Sequence, residues 1–227
     1  MSRNVFNISR AQDCRQFAAP PGYQAWGSLT SGKFSGELAD GEVLAHIHRY
    51  EAEVPTGPLF LVTHPSDSPS GPPRTICTIS APAGGAGQQE EREYTVHGPA
   101  GDYAGHIVHG RSPRGIRQAW RMHSPAGDRV VAGYKGSLRG WFAYWMTLPL
   151  WPLFAVMGLL HDGGGPSTWM WDKPARVTWR SRPRGLGGVL MRFTYGYSLF
   201  TWDTERLDAS LTHAQAVLYF ASVTKDS

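Results

Sequence analysis

The apolar residues of this chain fall mainly in short runs, many of them at every second position, with turn-forming residues between. That spacing predicts strands rather than helices. Between Tyr23 and Val62 the clearest strand candidates are Val43-Leu44-Ala45-His46-Ile47-His48 and Leu59-Phe60-Leu61-Val62. Thr75 to Ser80 reads as another, and Arg176 to Arg180, Val189 to Tyr195 and Tyr197 to Trp202 continue the pattern downstream. Residues 1 to 22 are polar and then Pro-rich from Ala18 to Gly22, which predicts an arm or irregular entry ahead of a single domain spanning 23–227. Pro65 to Pro73 is a loop by composition. Ala81 to Glu93 is a Pro/Gly/Gln/Glu segment without core-forming residues, and an internal domain boundary, if there is one, falls there.

A repeat lies beyond that segment. Tyr94 to Asp102 and Trp120 to Asp128 both end in His-x-Pro-Ala-Gly-Asp, and each runs on into an alternating stretch, Tyr103 to His109 and Arg129 to Lys135. Both copies read as strand, turn, strand. Proline presets φ for the first corner, and glycine accepts the positive φ that the return needs. A weaker third copy begins at Asp40-Gly41 and leads into Glu42 to His48.

Helical spacing appears at the C-terminus, where Leu207, Leu211, Ala214, Val217, Leu218 and Ala221 recur at three- and four-residue intervals. Asp203 or Thr204 is positioned to cap this helix. From Ala214 to Val223 the only polar side chains are Gln215, Ser222 and the Tyr219 hydroxyl, so the helix is apolar nearly all round and calls for burial on several sides. It is too short to cross a bilayer.

Trp141 to Leu160 carries no charge and would extend ~30 Å as a helix, enough to span a membrane. Pro149 and Pro152 interrupt it, each removing a backbone donor and disfavouring helix in the residue before. Three readings stay open: a buried strand pair, a hairpin or wedge entering one leaflet, and a kinked transmembrane helix. Trp141, Tyr144, Trp145 and Trp151 are candidates for a membrane interface, where indole and phenol rings settle at headgroup level.

Composition agrees with β structure, since 27 Gly, 17 Pro and 9 each of Trp, Tyr and Phe favour turns and pleated surfaces. Cys14 and Cys77 alone provide neither a disulfide framework nor a paired metal motif, which fits a reducing compartment and a cytoplasmic location. The N-terminus lacks the apolar core of a secretory signal. Net charge is +4, and the cations are mostly arginine, because Lys33, Lys135, Lys173 and Lys225 are the only lysines. Guanidinium forks pair well with phosphate, so the excess points to an anionic partner.

Motifs for catalysis are missing: the sequence holds no nucleophile elbow, phosphate loop, HExxH zinc motif or dinucleotide fingerprint. Neither cysteine has a local signature for nucleophilic chemistry, and no cofactor is implied. His46 and His48 share one strand face and could meet a metal ion if Glu37 or Glu51 approached, although exposed strand faces often carry such pairs for no purpose. His106 and His109 are three apart and point to opposite faces. Arginines offer better binding material: Arg176, Arg180, Arg182 and Arg184 surround Trp179, with Arg176 and Arg180 on one strand face and the other two in a loop. Arg111, Arg114 and Arg117 form a second group. Solvated strand edges would look similar, and no recognisable nucleic-acid module accompanies either group.

Degenerate hairpins followed by a terminal apolar helix resemble the tubby C-terminal-like group, which includes the phospholipid scramblases and the plant LURP-one-related proteins. The resemblance is carried by Tyr94 to His109, Trp120 to Lys135, Arg176 to Tyr195 with Gly187-Gly188, and Asp208 to Lys225. It implies a mainly β fold in which a closed twelve-stranded barrel wraps around the C-terminal helix. The cysteine cluster and calcium loop of scramblases are lacking, so lipid scrambling is not implied. The expected function is a non-catalytic, membrane-associated binding or scaffold domain at the inner face of the membrane. It would hold anionic phospholipid through Arg176, Arg180, Arg182 and Arg184. The alternative is a soluble β-barrel enzyme or small-ligand carrier with no membrane role.

Overall fold

The computed structural model describes residues 3–10, 17–32, 42–51, 57–65, 74–81, 91–111, 118–125, 130–135, 142, 146, 177–182, 188–194 and 199–225. Among these residues the strands are β1 (Arg3–Arg10), β2 (Tyr23–Ser31), β3 (Val43–Tyr50), β4 (Phe60–Thr63), β5 (Thr75–Ser80) and β6 (Arg92–His97). They continue with β7 (Tyr103–Arg111), β8 (Gln118–His123), β9 (Val130–Lys135), β10 (Val177–Arg182), β11 (Val189–Thr194) and β12 (Leu199–Asp203). The chain then enters helix α1 (Ala209–Lys225). Each strand pairs antiparallel with its sequence neighbours, and β1 pairs with β12, so the sheet closes on itself. Among the described residues, closure leaves no strand edge open to other chains.

Alternation along the strands decides what fills the barrel. Phe6 and Ile8 on β1, Ala45 and Ile47 on β3, and Trp120 and Met122 on β8 all point inward and are buried. They close around α1, and side chains from opposite walls reach the same helix. Ser210 Oγ donates to the Ile76 carbonyl of β5 at 3.2 Å. His213 lies edge-on to Phe6 of β1 at 5.5 Å and to Trp202 of β12 at 6.0 Å. Phe220 meets Trp26 of β2 at 5.7 Å. Tyr219, fully buried, packs against Trp120 at 6.1 Å, Trp179 at 5.7 Å, Phe193 at 4.7 Å and Phe200 at 6.3 Å. A closed antiparallel barrel around an apolar helix is therefore the fold, which is the architecture that the tubby-like resemblance implies.

Several expectations need correction. The segment read as an arm contains β1, which registers against β12 from Arg3↔Asp203 to Asn7↔Leu199 and against β2 from Phe6↔Ser31 to Arg10↔Gly27. Only Phe6 and Ile8 need be apolar there, because the alternate positions face outward. The helix is capped by Asp208, whose Oδ1 accepts from the Leu211 N–H at 3.1 Å. Asp203 still belongs to β12, and its carbonyl and carboxylate instead hold the turn at Glu205 to Leu207 that steers the chain back into the barrel. At the far end, Arg10 Nη2 donates to the Thr224 carbonyl at 3.3 Å, placing a cation where the helix dipole is negative.

Strands from both sides of residues 81–93 stand in one barrel, since β5 pairs with β6 across that segment. The first Pro-Ala-Gly turn forms as its residues require: Gly101 takes φ 79° and its N–H meets the Gly98 carbonyl at 3.0 Å. Of the run 141–160, only Phe142 and Met146 are described. Both have helical backbone, and they are 68% and 62% exposed.

Candidate functional site

Outward positions on β7 to β10 collect cationic and imidazole side chains, and strand register lines them up. One row runs Val108, Arg121, Ala132, Arg180 across the four strands. A second runs His106, His123, Val130, Arg182. A third brings Tyr134, Thr178 and Arg192 together on β9, β10 and β11. Two strand spacings separate Arg121 from Arg180, about 10 Å at the backbone, and the position between them is a methyl group, Ala132. Two guanidinium side chains can thus converge above Ala132 on a single anionic group.

Arg180 is exposed. Opposite it, the β10–β11 pairing shifts from Trp179↔Met191 to Arg180↔Val189, a bulge that skips Leu190 and twists the strand locally. Arg121 is held by Glu91, with Nη2 3.0 Å from Oε1. Such a surface ion pair contributes only about 0.2–1 kcal/mol, so a phosphate has little to displace.

The neighbouring row holds a stacked imidazole pair: His106 and His123 lie 4.3 Å apart with 8° between ring planes. Tyr103 Oη and His106 Nδ1 are hydrogen-bonded at 2.8 Å, and Glu93 Oε1 is 3.7 Å from His106 Nε2. Burial, with His106 and Arg121 nearby, pushes the His123 pKa down against the opposing pull of Glu93. At neutral pH the His123 ring is therefore a polar surface beside the arginines rather than a further charge. His109, as expected, faces the other way and stacks on inward-pointing Trp120 at 3.9 Å.

Of the arginines proposed from sequence, Arg180 stands on this face and Arg182 is the last residue of β10 rather than part of a loop. Arg176 and Arg184 lie outside the described residues, as do Trp141, Tyr144, Trp145, Trp151, Arg114 and Arg117. Arg111 is exposed at the end of β7. Arg121 was missed, because only the register of β8 against β9 and β10 brings it beside Arg180.

His46 and His48 do share the outer face of β3, and Phe17 folds over both. Its ring stacks on His46 at 4.0 Å and meets His48 edge-on at 5.3 Å. His48 Nε2 is 3.1 Å from Thr63 Oγ1. Burial and the adjacent His46 push the His48 pKa down to about 4, and burial lowers that of His46. Among the described residues no group of three or more His, Cys, Asp or Glu is placed to hold a metal ion. The Cys77 thiol is buried, and burial together with Asp208 pushes its pKa up to about 12, which leaves it inert. Among the described residues no helix is long and apolar enough to cross a membrane.

The fold and this face define a closed β-barrel with a helix inside it and an arginine-bearing outer surface. No family model matches the chain, and no curated protein or solved structure matches it.

Proposed function

We infer that this chain is a non-catalytic, tubby-like binding domain that docks on an anionic phospholipid surface at the inner face of a membrane. The observation that carries the reading is the row Arg121, Ala132, Arg180, in which an exposed guanidinium and a weakly held one flank a small residue. Exposed Phe142 and Met146, four residues apart in a run without charge, are suitable for shallow insertion beside headgroups. A lumen occupied by α1 favours an outer binding surface over an internal substrate site or a carrier cavity. The overall charge of +4 acts in the same direction.

Sedimentation with phosphatidylserine-containing vesicles tests it. Each arginine close to such a surface contributes about 1 kcal/mol, so Arg121→Ala with Arg180→Ala weakens binding by about 30-fold. Raising salt weakens the wild type in parallel. Equal sedimentation of the double variant and the wild type at low salt removes the outer arginines from the account.

A further inference from the structure

Hydroxyls on α1 find partners inside the barrel: Ser210 Oγ donates to the Ile76 carbonyl, Thr212 Oγ1 to the Asp208 carbonyl and Ser222 Oγ to the Tyr219 carbonyl. Gln215 differs. Its side chain is fully buried, and neither Oε1 nor Nε2 has a hydrogen-bond partner. Native interiors rarely keep such an amide unanswered.

Helical spacing shows where this amide points. Leu211, Gln215 and Tyr219 are four residues apart and form one stripe. Leu211 Cδ1 lies 3.4 Å from where a Cβ on Gly105 of β7 would stand, and Tyr219 packs against Trp120 of β8 and Trp179 of β10. Tyr219 also meets Phe193 of β11 and Phe200 of β12, so Gln215, midway along the stripe, faces the wall between β7 and those strands, in which β8 to β10 stand. That wall contains two more buried donors without partners, the Nε1 groups of Trp120 and Trp179. The two residues are 1% and 0% exposed. Register puts them at one level, since both pair with Gly133 of β9. A Cβ on Gly133 would come within 2.5 Å of Trp179 Nε1, so the indole N–H lies over the bare glycine.

We propose that the space between α1 and β8 to β10 is a binding site for ordered water, which links the Gln215 amide to the indole N–H groups of Trp120 and Trp179. The groups present are rich in donors, with two indole N–H and the amide NH2 set against one carbonyl oxygen. Their ligand must accept several hydrogen bonds and also donate one to Oε1. Water does both without bringing charge into an apolar interior. An anion would repel Oε1 and pay a large desolvation cost. The bridge adds to the Ser210–Ile76 hydrogen bond a second polar link between α1 and the wall, and the two together fix the rotation of the helix within the barrel.

The test uses the full chain with ¹⁵N-labelled tryptophan and reads magnetisation transfer from water to the indole N–H protons. Persistent water cross-peaks at Trp120 and Trp179, assigned by their loss in Trp120→Phe and Trp179→Phe, are expected. Should either variant fail to fold, through-bond correlation in the wild type gives the same assignment. Gln215→Met is expected to weaken both cross-peaks and to lower the melting temperature. Indoles without water cross-peaks in the wild type overturn the proposal, as does a Gln215→Met chain that melts at a higher temperature than the wild type.

Discussion

Replacing Tyr219 with alanine removes the ring on which four strands converge. Truncating a buried large aromatic costs about 3–5 kcal/mol, and each favourable ring pair contributes about 0.5–1.5 kcal/mol beyond the area it buries. Tyr219 packs against rings of β8, β10, β11 and β12, which places it at the top of that range, about 5 kcal/mol. For a chain of this length each kcal/mol moves the melting temperature by about 2–4 °C, so the variant should melt about 10–20 °C lower. Near-UV circular dichroism is the suitable assay, because the buried tryptophans report directly on packing around the helix. Tyr103→Ala is the control: that residue is 46% exposed, and a surface change of this kind stays within about 0.5 kcal/mol. If Tyr219→Ala falls no further than Tyr103→Ala, the helix does not organise the interior and the packing argument fails.

Three other outcomes follow from the same structure. His48 is held neutral, with its pKa down from 6.5 to about 4, so the unfolded chain binds its proton first. Its contribution is therefore complete above pH 6.5 and is lost as pH falls towards 4, by up to about 3 kcal/mol. Urea unfolding between those pH values should show the loss, and His48→Asn should reduce it without abolishing it, because burial also pushes the His213 pKa down to about 4 and that residue loses its contribution over the same range. Asp208→Ala removes the helix cap and should cost about 1 kcal/mol, read as a lower urea midpoint at unchanged slope. Gly133→Val drives a side chain into the Trp179 indole and should cost about 1–3 kcal/mol with a shift in tryptophan fluorescence; an unchanged spectrum and stability would mean that the indole does not lie over β9.

Much of the barrel was legible because period-two patterning is a local property. Val43 to His48, Thr75 to Ser80 and the two His-x-Pro-Ala-Gly-Asp hairpins announce their own strands, and a helix apolar on all sides calls for an enclosure. β1 was hidden because its apolar residues are just Val5, Phe6 and Ile8, with Asn7 and Ser9 between and after them, too short an alternation to announce a strand. The helix start was misplaced by five residues' worth of turn, since the sequence cannot show that Asp203 is still paired with Arg3 in the sheet. The candidate site was half legible. Arg180 stood out as a charge beside Trp179, but its neighbour Arg121 comes from a different hairpin and is found only through register. Phe17 over His46 and His48 is likewise a contact between segments distant in sequence.

The sheet encloses α1, and native-state amide hydrogen exchange measures that enclosure most directly. Amides from Leu211 to Tyr219 should exchange only when the whole barrel unfolds, with the same free energy as the slowest amides of β8 and β10. Exchange of those helix amides well ahead of the strands, at a free energy several kcal/mol lower, would mean that the helix leaves while the barrel stays closed.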